Sequence, residues 1–331
     1  MYHSRVSGTY YNMGFGYGSI LYRHGYRVPE ASSETLAFGR ECEKEVKRIF
    51  PEVLDEIRGF ADACHAPNEH LASFIFSIGT LKPTACSVFA TDNGLEIVFG
   101  RNYDFFYRFK RHSESFLTKP SDGYNSVGNC DIFIGREDGV NEKGLAVAMT
   151  WVAPKTVKPG INFILLTRYV LDKCQNVKEA LKTLTDAHHV TANNYLLADK
   201  EGNVAVVEAC AEKVRIRRTK DDFIVCTNHF VRDEMVDMED QKERPSDSVL
   251  RYTTIYKALE ENVGKIDIET AQRILSDHTG GVCAHKDDIQ LGTLWSLIAG
   301  LKQLRIFLAE GHPCRAKYRE DTRLSKALKR V

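Results

Sequence analysis

The chain has no excess of either charge: Lys plus Arg and Asp plus Glu are 45 each among 331 residues. No overall field therefore draws it to nucleic acid or to an acidic membrane surface. No run approaches the ~18 apolar residues needed to cross a bilayer. The start, MYHSRVSGTYYNMGFGYG, lacks a basic stretch followed by an apolar one, which argues against a secretory signal. C-x-x-C spacing is also missing. The nine cysteines are odd in number and scattered, so neither a disulfide framework nor a zinc ribbon is expected. Reduced thiols and a cytoplasmic location follow as expectations. His278, Cys283 and His285 can be drawn as metal ligands, but with no carboxylate or fourth ligand beside them no metal site is expected.

What is present is a soluble, globular composition, 43% hydrophobic, long enough for one large domain or two ordinary ones. Residues 1–30 are rich in Gly and Tyr, and a helix is expected over about 9–24. Ser33 is expected to cap an amphipathic stretch in which Leu36, Cys42, Val46, Ile49, Val53, Ile57, Phe60 and Cys64 recur at helical spacing. Pro51 divides it in two. Asn68 begins a third helical piece over 69–78, and a loop over 79–83 leads to Cys86.

From Cys86 the pattern turns to β. CSVFATD and LEIVFG are parted by Asp92-Asn93-Gly94, the strongest short-range hairpin signal. The second strand ends in Gly100-Arg101-Asn102-Tyr103-Asp104. The hairpin folds that end back beside its start, so a guanidinium and a carboxylate are expected near the Cys86 sulfur. A neighbouring cation favours thiolate, the reactive form of cysteine. Further strands are expected near 115–119, 131–136 and 144–150, then helices over 162–174 and 177–187. YLLAD, VAVVEA, KVRIRRT and DFIVCTN read as a meander, and 233–247 as a charged surface loop. Helices over 246–262 and 268–277 and strands near 281–286, 293–299 and 303–309 close the chain. This α+β order fits two antiparallel sheets between helix layers.

A Cys heading a hairpin, an Asp-Asn-Gly turn and Gly-Arg-Asn-x-Asp resemble the opening of the choloylglycine hydrolase and penicillin V acylase group of N-terminal-nucleophile amidases. The 85 residues before Cys86 are similar instead to the acyl-CoA:isopenicillin N acyltransferase-like branch, made as precursors that cleave themselves. Asn141-Glu142-Lys143-Gly144-Leu145, Asn193-Asn194-Tyr195 with Glu208, Thr227-Asn228-His229, Ser248 to Arg251, and Cys283-Ala284-His285 through Gly311-His312-Pro313-Cys314 continue the resemblance in order. It implies the four-layer αββα N-terminal-nucleophile (Ntn) fold. Residues 1–85 would be a helical α chain and 86–331 the catalytic β chain, separated by cleavage between Ala85 and Cys86.

It further implies a Cys86 nucleophile whose freed α-amine, with a pKa of ~7.7–8, serves as base. Arg101 would favour the thiolate, Asp104 hold the ammonium, and Arg251 stand near the amine. Asn228 would give one oxyanion donor, and the backbone N–H of Thr150 or Trp151 the other. Tyr103, Phe105 and His229 are pocket candidates. His229 also invites a Cys-His dyad, but neighbours in a strand face opposite sides, which argues for pocket wall or support. A classical Cys-His protease would need His229 or His285 at the sulfur. The expected reaction is hydrolysis of a linear amide: an N-acyl amino acid, an acyl-peptide or a penicillin-like side chain. Acyl transfer from acyl-CoA and a non-cleaving binding protein are the alternatives. No phosphate-cradling loop or basic cluster suited to coenzyme A stands out, and no cofactor is expected. Expected partners are the small amide and the chain's own N-terminal segment, with a homo-oligomer left open.

Overall fold

The computed structural model describes residues 1–79, 85–219 and 221–329. The N-terminal segment contains β1 (Tyr2–Gly8), α1 (Tyr10–Arg23), α2 (Ser33–Ile49), α3 (Glu52–Ala63) and α4 (Asn68–Phe76). There follow β2 (Ala85–Asp92), β3 (Ile97–Phe106), β4 (Glu114–Pro120), β5 (Ser126–Cys130), β6 (Asp138–Asn141), β7 (Leu145–Trp151), α5 (Phe163–Lys173), α6 (Val177–Asp186), β8 (Asn193–Asp199), β9 (Val204–Ala209), β10 (Val214–Arg217) and β11 (Phe223–Cys226). The remainder is α7 (Asp233–Val236), α8 (Ser248–Glu260), α9 (Ile268–Leu275), β12 (His285–Lys286), β13 (Leu291–Gly300), β14 (Arg305–Glu310), β15 (Arg319–Glu320) and α10 (Arg323–Leu328).

One sheet runs β1-β4-β5-β6-β7-β8-β9-β10, antiparallel except for the parallel pair β1–β4. The other runs β11-β2-β3-β13-β14-β15, with β12 on β13. The two-residue period of the strands sorts their side chains into three cores. Leu145, Val147 and Met149 of β7 face a helix layer built from α1 to α6. Ala146 and Ala148 face inward, against Cys86, Val88, Ala90 and Phe99 of the second sheet. Phe89, Val98 and Val225 face outward against Ile255 and Leu259 of α8 and Leu275 of α9. Helix, sheet, sheet, helix is therefore the layer order, as expected.

Local signals placed most elements. Pro51 separates α2 from α3. Asn162 and Asn176 cap α5 and α6, each side chain accepting a backbone N–H. At α2 the cap is Ser32 rather than Ser33, its hydroxyl accepting from Thr35 N at 3.2 Å.

One strand was not expected, and three expectations need correction. Residues 2–8 form a strand, because a distant partner, β4, supplies its hydrogen bonds. The strand expected near 131–136 lies instead at Ser126–Cys130, which pairs with β4 and β6. Ile134 turns into the helix-side core, with Gly135 at φ +122° ending any extended run. The 233–247 segment is not all surface: Glu239 is fully buried, accepting from Phe230 N and pairing with Arg244. The strand expected near 281–286 shrinks to His285–Lys286. All but the first residue of the loop expected over 79–83 lies outside the described residues.

Candidate active site

Cys86 sits one residue into β2, with Ala85 opposite Asp104 and Cys86 opposite Tyr103 in β3. The Asp-Asn-Gly turn closes as expected. Asn93 Oδ1 accepts from Leu95 N and Glu96 N, Asp92 Oδ1 accepts from Gly94 N, and Gly94 takes φ +82°, a value that favours glycine.

The strand period divides the site between two faces. Cys86 and Arg101 point between the sheets, and Arg101 Nη2 lies 3.4 Å from Cys86 Sγ. The Arg101 guanidinium is completely buried. It donates to Asp138 of β6, which also accepts from Trp295 Nε1 at 2.8 Å and Asn129 Nδ2 at 2.6 Å. Tyr103 and Trp295 stack at 3.9 Å beside it. Burial works against the Arg101 charge, but Asp138 and then the Cys86 sulfur more than offset it, so the group stays firmly protonated. For the Cys86 thiol burial dominates and pushes the pKa up, although Arg101 pulls it down. The expected cation is in place; in the continuous chain it does not make the thiol acidic.

Asp104 stands near the Cys86 thiol as expected, its backbone N–H bonding the sulfur and its charge pushing the thiol pKa up, but its carboxylate does not face the sulfur. Alternation sends its carboxylate to the face opposite the sulfur, where Oδ1 accepts from Thr293 Oγ1 at 2.5 Å and buried Oδ2 has no hydrogen-bond partner among the described residues. The carboxylate on the Cys86 side is Asp138. Burial raises Asp104 to about 7, against the pull of Arg251.

The nitrogen of Cys86 is held as specifically as its sulfur. β11 ends at Cys226, opposite Val88, so Asn228 falls where the next partner of Cys86 would stand. The Asn228 side chain takes that bond: Oδ1 accepts from Cys86 N at 2.7 Å and from Arg251 Nη2 at 2.8 Å. Asn228 Nδ2 donates to Trp151 O at 2.9 Å. Arg251, at the start of α8, also donates to Cys86 O and to Ser87 Oγ. Of the two backbone candidates in β7, register separates them. Val152 N bonds Ala192 O toward β8 and Met149 N bonds Glu137 O on the other side, so Thr150 N–H faces β8 and Trp151 N–H the edge beyond β6.

His229 does not approach the sulfur. Its Nδ1 lies 2.8 Å from Ser248 Oγ and 3.1 Å from Thr227 Oγ1, and burial lowers its pKa to about 4. It supports the Asn228 strand, since Ser248 Oγ also accepts from Asn228 N at 2.8 Å. Among the described residues no histidine bonds Cys86, which removes the protease dyad.

A cavity of about 310 Å³ is lined by Tyr103, which pairs with Cys86, and by Phe105, Met149, Trp151, Phe163 and, from the N-terminal segment, Phe74 and Ile78; Cys86 itself is not among the lining residues. Of the three pocket candidates, Tyr103 and Phe105 line this cavity and His229 does not. Half-buried Asp131 and buried Glu137 put two acids on its wall, both raised by desolvation, Asp131 to about 6. Asp138, Asn129, Thr293, Ser248 and Trp295 were missed as site residues. All but Asn129, which pairs with Asp138 on the neighbouring strand, lie distant in sequence from the side chain they hold, and only Ser248, Thr293 and Trp295 fall in stretches that carried the resemblance.

Against known proteins, the pattern of the family described as acyl-coenzyme A:6-aminopenicillanic acid acyl-transferase matches residues 89–315. An uncharacterized protein of Archaeoglobus fulgidus is 22% identical over 83% of this chain and 57% of its own length. Penicillin V acylase of Pectobacterium atrosepticum is 33% identical over 28% of this chain and 29% of its own length, so the chain spans well under two thirds of either relative. A variant of conjugated bile acid hydrolase from Clostridium perfringens superposes with TM-score 0.51 at 17% identity, over 71% of this chain and 92% of that one, and shares the Ntn fold. With the family pattern covering more than half of its length, the chain belongs to the acyl-coenzyme A:6-aminopenicillanic acid acyl-transferase family.

Proposed function

We propose that this chain is an autoprocessing cysteine amidase that acts on linear amides through a Cys86 thioester. The observation that carries the reading is that one buried residue has its sulfur against a guanidinium and its nitrogen on an asparagine oxygen. A structural strand cysteine needs neither.

Maturation starts with Cys86 Sγ attacking the Ala85 carbonyl. The C–N bond gives way to a C–S thioester, the nitrogen takes a proton, and water then releases the Ala85 carboxylate. The nitrogen held by Asn228 becomes a free amine able to accept the thiol proton. The same sulfur then attacks the substrate carbonyl, with Asn228 Nδ2 and Trp151 N–H as the donors nearest the developing oxyanion. The protonated amine leaves, and water hydrolyses the acyl-enzyme. The aromatic cavity suits an apolar acyl group.

Acyl transfer is the second reading, and one observation favours it. Arg108, Lys110 and Arg111 stand exposed on the short turn Tyr107–His112, whose Phe109 and His112 line the cavity. Three cations at the mouth could hold the phosphates of an acyl-CoA, a cluster the sequence alone did not suggest.

Intact mass of the purified protein beside a Cys86→Ala variant tests the proposal, followed by release of amine from N-acyl amino acids and penicillin V. Two fragments divided at Ala85–Cys86 in the wild type, one uncut variant and amine release are expected. A wild type that stays whole under all conditions refutes autoprocessing. Amide product from a thioester donor and a free amine would favour transfer over hydrolysis.

A further inference from the structure

On the outer side of the second sheet, four metal-ligating side chains converge that the amidase chemistry does not use. Their atoms, in His278, Cys283, His285 and Cys314, all lie within 4.8 Å of one another. We propose that these four residues form a tetrahedral zinc site.

The sequence supplies three of the four from one loop. After α9 the chain turns tightly, Asp277 accepting from Thr279 N and Gly280 N through its carboxylate and from Cys283 N through its carbonyl, with Gly281 at φ +71°. This closes His278 onto Cys283. β12 pairs His285 with Gly292 and so fixes its direction. The fourth ligand, the one whose absence argued against a metal, arrives from the turn after β14, where Gly311 N bonds Leu294 O and carries Cys314 into the group.

The distances fit a shared central ion. With Zn–S of ~2.3 Å and Zn–N of ~2.0–2.1 Å, the sulfur–nitrogen edge of a tetrahedron is ~3.5 Å. His285 Nε2 lies 3.4 Å from Cys283 Sγ and 3.3 Å from Cys314 Sγ. One ring nitrogen carries at most one proton and cannot donate to both sulfurs, whereas an ion between them satisfies all three. Two thiolates with two imidazoles select zinc over the hard cations magnesium and calcium. His285 also stacks on His312 at 3.8 Å, which orients the ring.

The site connects to the nucleophile by a short path. Cys283 precedes Ala284, whose N–H donates to Thr293 Oγ1 at 3.0 Å, and that hydroxyl donates to Asp104. Asn102 Nδ2 holds Val282 O at 2.8 Å. A metal here would fix the segment that positions Asp104, without touching substrate.

The test uses the full chain, purified with its thiols reduced from zinc-supplemented medium, and measures metal content. It then titrates cobalt chloride into chelator-treated protein. About one zinc per chain is expected, with the intense visible bands and thiolate charge transfer of tetrahedral cobalt. Cys86→Ala retains the metal, which separates this proposal from the amidase reading. Since changes beyond the ligands themselves cost ~10–100-fold in affinity, Cys314→Ser should weaken zinc by ~100-fold or more. A wild type that gives no tetrahedral cobalt spectrum, a Cys283–Cys314 disulfide as the native state, or a Cys314→Ser chain that binds zinc as tightly as wild type would each overturn the proposal.

Discussion

Asp104 should be a proton reservoir whose ionisation strains the folded, uncut chain. Its carboxyl is completely buried, with Thr293 Oγ1 on one oxygen and, among the described residues, no partner on the other. Burial lifts it from an ordinary 3.8 to about 7 despite Arg251 and Lys286, and Asp247 pushes the same way as burial. With the folded pKa above the unfolded one, the folded state holds the proton more tightly. Stability therefore falls as pH rises from 3.8 toward about 7. At ~1.4 kcal/mol per unit, the penalty is about 1.5 kcal/mol near pH ~5 and about 4 kcal/mol above neutrality. Asparagine has no proton to lose. In a Cys86→Ala background, which on the proposed reading keeps the chain whole, Asp104→Asn should therefore gain about 2–3 kcal/mol over its parent between pH ~5 and pH ~8. Urea unfolding of both proteins at each pH measures this, and any constant effect of the substitution cancels in the difference. If the two proteins keep a pH-independent gap, or the variant loses ground as pH rises, Asp104 is ionised in the fold and the reasoning fails.

Asp138→Asn should cost ~3–5 kcal/mol by leaving the Arg101 charge buried and uncompensated, while Arg101→Met with Asp138→Leu costs less than that single change; urea midpoints of the three proteins decide it. Ser248→Ala removes the hydroxyl that accepts from Asn228 N and meets His229, so it should cost ~1–3 kcal/mol in stability and lower kcat by ~10-fold or more with little change in KM. Hydroxylamine should speed cleavage of freshly made wild-type chain by intercepting the thioester and do nothing to Cys86→Ala; a wild-type rate indifferent to hydroxylamine would point to cleavage without that intermediate.

How much of this was legible depended on the sequence distance of each contact. The Cys86 hairpin was, because turn, strands and register all lie within 92-Asp-Asn-Gly-94 and its flanks. The direction of the Asp104 carboxylate follows from the period of two, since Cys86 opposite Tyr103 puts residue 104 on the other side from the sulfur. Asp138 was out of reach, since β6 is four residues long and meets Arg101 only when the two sheets stack. The same holds for Cys314, which joins His285 across 29 residues through the β13–β14 hairpin. β1 was hidden for a related reason, its partner β4 lying more than a hundred positions away.

On the proposed reading, these placements explain why such a chain would be made as a precursor. Before cleavage the Cys86 nitrogen is an amide with no basicity, and burial keeps the thiol protonated despite Arg101. The Arg101 charge is meanwhile matched by Asp138, so the guanidinium is not free to bind an anion from solution. Breaking one bond changes the chemistry without moving the sulfur. The nitrogen on Asn228 Oδ1 becomes basic, and the Asp104 oxygen that has no hydrogen-bond partner among the described residues, on the residue paired with Ala85, gains a cation at the strand end to offset its charge. The ammonium would pull Asp104 back down from about 7, so the strain that disfavours its ionisation before cleavage is relieved by the product of cleavage. That coupling gives self-processing a thermodynamic direction in addition to the hydrolysis of the peptide bond itself.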